Sequence, residues 1–137
     1  MATRSQIRVV KNGYPLNYYH HFDGYFYGVG KELHEALVKV WNDPDIQDND
    51  ARSTLALESV MRLFQDNHDY EPTFYRHEDI EYFYLLDFDK NKFTGWQTGQ
   101  WEEKPSKDCK WYEQLPSLCE DGRKINLLKK IKKEYDN

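Results

Sequence analysis

The sequence predicts a single α+β domain over residues 1–137, with an antiparallel sheet of about four or five strands and helices packed on one face. Three observations lead there. Asn12-Gly13 lies between two strand-like segments, the signature of a two-residue hairpin turn. Val29, Leu33, Ala36, Leu37, Val40 and Trp41 fall on one stripe of a 3.6-residue repeat. Ile80 to Phe88 alternates at period two, with apolar groups on both faces, as a central strand would.

The elements follow in order. Ile7-Arg8-Val9-Val10 is a short strand by its β-branched content. Leu16 to Phe22 returns beside it, with Pro15 near its start, where a missing amide is tolerated. The first helix runs from about Val29 to Trp41 and stops at Asn42-Asp43-Pro44, because a residue before proline avoids the α region. The second runs from about Ala51 to Asn67, capped by Asn49 or Asp50, with Leu57, Val60, Met61 and Phe64 inward. Ser53 and Thr54 are expected to cap that helix or bond back to it. Thr73 to His77 reads as a strand, as does Ile80 to Phe88. Asp89-Lys90-Asn91 turns the chain into a further strand, Lys92 to Trp96. A last helix is expected from about Arg123 to Tyr135, with Ile125, Leu128, Ile131 and Tyr135 inward and the lysines outward. Gly99 to Gly122, which holds Trp101, Trp111 and Tyr112, shows no readable pattern.

Composition narrows the function classes. Charged residues make up 31% of the chain and aromatics 16%, so rings must supply much of the core, with surplus tyrosines left for a groove or an interface. The net charge of −5 argues against binding duplex nucleic acid, which wants a basic face. Cys109 and Cys119 match no metal or redox spacing and read as reduced thiols. Met1 to Asn12 has no apolar core of a signal peptide, and no run is long and apolar enough to span a membrane. No cofactor is expected.

The stretch from Tyr18 to Gly30 concentrates the chemistry: six aromatics, two histidines, a carboxylate and three glycines. Gly28 and Gly30 fall at a helix start, where free amides and the positive dipole end suit an anion. Tyr25 can stack on a base, and Asp23 can accept from a sugar hydroxyl or a base edge. A metal reading needs His21 and Asp23 joined by His34 or His77, since adjacent His20 and His21 face opposite ways on a strand. An acid–base reading pairs His21 with Asp23 but finds no nucleophile beside them. The structural alternative makes Asp23-Gly24 a turn and the rings core. Arg76-His77-Glu78-Asp79 reads as a hairpin tip or as a group that approaches the same place across the sheet.

Two segments resemble a group of small proteins of tailed phages and prophages. Those open Met-Ser/Ala-Thr-Arg-Ser-x-Ile and carry His-Trp-Asp-Gly-Tyr-Pro-x-Gly-Val-Gly after a short hairpin. Here Met1 to Ile7 fits the opening, and His21, Asp23, Gly24, Tyr25, Gly28, Val29 and Gly30 fit the second segment. Phe22 stands for the tryptophan, which removes an indole donor, and Phe26 stands for the proline. The resemblance covers about the first 40 residues. It implies a mobile-element origin and a cytoplasmic setting in the infected or lysogenic host cell, and it carries no activity. Arg4, shared with the group, is a candidate partner for phosphate or carboxylate, or for Asp23.

These readings combine into an expected function. The chain is read as a non-catalytic protein that captures a small nucleotide-like ligand through Arg4, His21, Asp23, Tyr25, Gly28 and Gly30 and so counteracts a host defence signal. One alternative is an acidic inhibitor of a host defence or nucleic-acid-binding protein. Another is a small hydrolase using His21 and Asp23. The aromatic surplus leaves room for a homodimer or higher homo-oligomer.

Overall fold

A computed structural model describes residues 3–75, 77, 79–98 and 123–133. The fold is α+β: among the described residues two α-helices lie against a mixed six-stranded sheet. The strands are β1 (Ser5–Lys11), β2 (Tyr14–His20), β3 (Tyr70–Pro72), β4 (Tyr82–Asp87), β5 (Lys92–Gln97) and β6 (Lys124–Asn126). They lie in the order β3-β2-β1-β4-β5-β6. The helices α1 (Lys31–Trp41) and α2 (Asn49–Asp66) connect β2 to β3.

The sheet departs from the antiparallel expectation at its centre. β1 and β4 run parallel, with Ser5 opposite Tyr82 and Val9 opposite Leu86. The hairpin logic held locally: β1 and β2 pair antiparallel from Ser5–His20 to Lys11–Tyr14. A chain that crosses a sheet face through two helices can return in either direction, and no local signal sets that choice.

Alternation sorts the sheet residues into two layers. Ile7, Val9, Tyr82, Tyr84, Leu86 and Phe93 meet the helices, where Leu33, Leu37, Ala56, Val60 and Phe64 close the main core. The α1 stripe read from the sequence is therefore the buried one. In α2 the inward face is shifted slightly, to Ser53, Ala56, Val60 and Phe64, with Leu57 and Met61 half-buried beside it. Ser53 donates not to its own helix but to the Phe88 carbonyl, at 3.1 Å. The cap of α2 is Asp48, which accepts from the Ala51 amide at 3.2 Å, rather than Asn49 or Asp50. On the opposite face Tyr19, Ile80, Phe83 and Trp96 form a smaller cluster.

Two expected elements change identity. The strand expected over Thr73 to His77 is displaced to Tyr70–Pro72; its last rung is the Thr73 amide on the Asn17 carbonyl, at 2.9 Å. The helix expected from Arg123 begins instead as β6, paired with β5 through Ile125 opposite Gly95. Ile125 and Leu127 are the buried pair there, a period of two. The edge of β5 offers unpaired backbone groups, and satisfying them outweighs a weak helical stripe. Gly99 to Gly122, with both cysteines, lies outside the described residues, as does Tyr135.

The two tight turns at one end of the sheet are fastened together. Asn12 and Gly13 take φ of 52° and 76°, the left-handed pair that a two-residue hairpin of this twist requires. Their amides donate to the Asp89 carboxylate at 2.7 and 2.8 Å. Those bonds, Gly13 first, hold the Asp89 carboxyl below the ordinary carboxylate range. A lowered folded pKa stabilises above the unfolded value of about 3.9 and is lost as pH falls through the folded value. Asp89→Asn is therefore expected to lower stability at neutral pH, with the gap from the parent closing as pH drops below about 4. Urea denaturation across that range checks it; a gap that stays constant would mean the carboxylate charge is irrelevant.

Candidate functional site

The segment after β2 is shaped by glycines packed against neighbours. Asp23 adopts φ of 54°, reversing the chain after the strand. Gly24 then sits where a Cβ would be 2.7 Å from the Ser5 side chain and 2.8 Å from the Thr3 carbonyl, and its amide donates to that carbonyl. Phe26–Gly30 forms a single π-helical turn leading into α1. The Asp23 carbonyl reaches into this turn, accepts from the Val29 amide at 2.8 Å, and leaves no room for a side chain at residue 28. Tyr84, fully buried on β4, donates its hydroxyl to the Gly24 carbonyl at 2.6 Å and lies against Gly30 and Gly95.

This arrangement corrects the expected anion cradle. The Gly28 amide donates to the Tyr25 carbonyl at 3.0 Å, the Gly30 amide to the same oxygen at 3.4 Å, and the Lys31 amide to the Gly28 carbonyl. These amides serve the π-turn, so they do not point at an anion. At Gly24 and Gly28 neighbouring backbone comes too close for a Cβ, and at Gly30 a Cβ would stand 3.3 Å from the Tyr84 ring, a tight contact.

A hollow of about 360 Å³ opens between the end of β2, the π-turn and the first turns of α1. Its volume lies within the range of small-ligand sites, roughly 300–1,000 Å³. Asp23, Tyr25 and Gly28, three of the residues expected from the sequence, line it. Tyr25 donates to the Asp23 carboxylate at 3.3 Å. The remaining three expected residues lie elsewhere. Gly30 is buried against Tyr84. Arg4 forms an ion pair with Asp79 at 3.1 Å, not with Asp23. His21 packs edge-on to Phe22, with ring centroids 4.5 Å apart, and lies 6.2 Å from the Tyr19 ring. Strand alternation accounts for the separation: Tyr19 and His21 belong to one face of the sheet, His20 to the other. The His21–Asp23 pair that a hydrolase would need is not formed.

Residues outside the expected ligand set complete the wall. His20, only 4% exposed, stands edge-on to Tyr70 at 4.5 Å. Its Nδ1 is buried without a hydrogen-bond partner among the described residues. Tyr70 donates its hydroxyl to Glu32, and burial together with that carboxylate pushes the phenol well above its ordinary pKa. Glu35 lies one turn further along α1, and Asp69 approaches from the link before β3. Among the described residues of the lining, Lys31 is the one Lys or Arg, with its ammonium 4.7 Å from the Tyr27 ring centre. Glu32 and Glu35 could have been found from their i, i+3 spacing, which puts both on one side of the first helix. His20 lies in the stretch that the sequence marks, but only the strand's extent shows that it rather than His21 faces the hollow, and Asp69 carries no local signal.

On the opposite face, Arg76-His77-Glu78-Asp79 contributes two described residues to a second polar cluster. Asp79 accepts from the Tyr19 hydroxyl at 3.2 Å, and His77 stacks on the Tyr19 ring at 4.0 Å. Burial first, then Asp79, pushes the Tyr19 phenol up to about 12. The His77 amide and the Tyr75 carbonyl are bound by the Gln6 side chain at 3.0 and 3.4 Å, which fastens this loop to β1. His34 is likewise engaged, its Nδ1 donating to the Leu127 carbonyl at 2.6 Å. Among the described residues no group of three or more His, Cys, Asp or Glu could hold a metal ion. A larger hollow, about 460 Å³, lies between α2 and β2–β3 over Tyr18, Met61 and Phe64, with Glu71 and His68 at its rim. Fewer charged groups converge there than beside the π-turn.

No protein-family model, curated protein or solved structure matches this chain. Among the described residues no helix is long and apolar enough to cross a membrane. The chemistry of the hollow beside the π-turn therefore carries the functional reading.

Proposed function

We propose that this chain is a non-catalytic binding protein that captures a small nucleotide-like ligand in the hollow beside the π-turn. One observation carries the reading: Tyr25, Tyr27, Asp23 and Glu32, from the strand end, the turn and the helix, line one concave space. Tyrosine rings suit stacking on a base. Carboxylates suit sugar hydroxyls and exocyclic amines, which are donors. The same carboxylates repel phosphate, so the base and sugar would be held and any phosphate would point to solvent. The ligand set accordingly keeps Asp23, Tyr25 and Gly28, drops Arg4, His21 and Gly30, and adds His20, Tyr27 and Glu32. The resemblance of Met1–Ile7 and His21–Gly30 to proteins of tailed phages motivates the further part of this proposal, that capture blunts a defence signal of the host cell.

Calorimetric titration with a panel of nucleosides and their monophosphates tests this, followed by recovery of the ligand from denatured protein. Binding is expected, nucleosides tighter than monophosphates, with the ligand returned intact. If no member binds, the reading fails; if a changed ligand comes back, the protein is an enzyme.

A further inference from the structure

We propose that the hollow beside the π-turn is a cation site, built for a primary amine or guanidinium carried by its ligand. This deepens the binding reading above and rests on it. Three independent parts of the chain deliver carboxylates to one space: Asp23 after β2, Glu32 and Glu35 on α1, and Asp69 before β3. Among the described residues of the lining, Lys31 is the one Lys or Arg side chain set against them. Like charges gathered around one cavity repel one another, and a bound cation reverses the sign of that interaction.

The second observation is separate from charge. His20 lines the same hollow, is only 4% exposed, and has an Nδ1 with no hydrogen-bond partner among the described residues. A buried nitrogen left without a partner is unfavourable, and in one imidazole tautomer it is an acceptor. An ammonium or guanidinium N–H donates to it while its other N–H groups reach the carboxylates. Glu32 is already oriented for this by the Tyr70 hydroxyl. A third feature shows how the aromatic wall treats such a group: the Lys31 ammonium lies over the Tyr27 ring. Aromatic faces attract an ammonium through the ring quadrupole, and Phe22 and Tyr25 also line the hollow.

The experiment uses the full chain and three probes, agmatine, putrescine and arginine amide, titrated beside adenosine as an uncharged reference. At least one cation is expected to bind, to weaken as salt rises, and to shift the His20 ring resonances in NMR spectra. Glu35 and Asp69 are both exposed, so the double variant Glu35→Gln, Asp69→Asn keeps the fold. It is expected to lose at least about tenfold in cation affinity, with adenosine unchanged, since pairwise charge interactions near a surface are of that order. If adenosine binds and no cation does, the cation site is overturned while the binding reading stands. If nothing binds, both fall. If a cation binds but the double variant binds it equally well, or the His20 resonances do not move, the site is not this hollow and the inference is overturned.

Discussion

Gly28→Ala is expected to destabilise the fold by at least about 3 kcal/mol, beyond the usual range for overpacking. The added Cβ would stand 2.0 Å from the Asp23 carbonyl oxygen and 3.2 Å from the Asp23 Cβ. The nearest obstacle is backbone, so no rotamer change relieves it. Moving the carbonyl breaks its bond from the Val29 amide, and an orphaned buried amide costs about 1–3 kcal/mol more. Set against a typical domain stability of about 5–15 kcal/mol, this is a large fraction. Gly13→Ala is the natural control. Gly13 has φ of 76° but nothing within 4 Å of its Cβ position, so only the conformational term of about 1–2 kcal/mol applies. Urea denaturation followed by circular dichroism reads both. Equal losses at the two positions would show that the close approach at Gly28 carries no weight.

Tyr84 is the second position where a single change should be severe. Its ring is fully buried between Gly30 and Gly95, and its hydroxyl holds the Gly24 carbonyl. Tyr84→Phe keeps the ring and orphans that carbonyl, at about 1–3 kcal/mol. Tyr84→Ala also empties the ring's volume, and large-to-small aromatic changes cost about 3–5 kcal/mol. The expected order of stability is parent, then phenylalanine, then alanine. Gly24 sits next to Asp23, so the phenylalanine variant should also weaken ligand capture in the hollow. A phenylalanine variant as stable as its parent would mean that the hydroxyl contact does not anchor the turn.

Local chemistry made much of this fold legible. Asn12-Gly13 gave away the first hairpin because only a few residue types accept two successive left-handed conformations. The stripe from Val29 to Trp41 marked α1, and the double-sided apolar pattern of Ile80 to Phe88 marked a central strand. The misreadings share a cause. Whether β4 runs parallel or antiparallel to β1 depends on a pairing across more than seventy residues, which no window sees. Ile125, Leu127, Leu128 and Ile131 satisfy both a helical and a strand period, and the free edge of β5 decides between them. At the site, the sequence located the junction of hairpin and helix but not its chemistry. The glycines look like a ligand cradle until the Asp23 carbonyl and the Tyr84 ring are seen filling the space. His20 rather than His21 faces the hollow because of strand parity, and the strand's extent had to be known before parity could be read.

The parallel contact between β1 and β4 also bears on how the protein is made. β1 leaves the ribosome well ahead of the partner that covers its other edge, and everything from Asn12 to Glu81 must emerge first. Until then β1 is half-paired, joined to β2 alone, with its other edge open. Such distant pairings form late and slowly, and a waiting apolar strand is open to wrong partners. Synthesis speed and chaperone supply should thus govern the yield of native protein more than its final stability does.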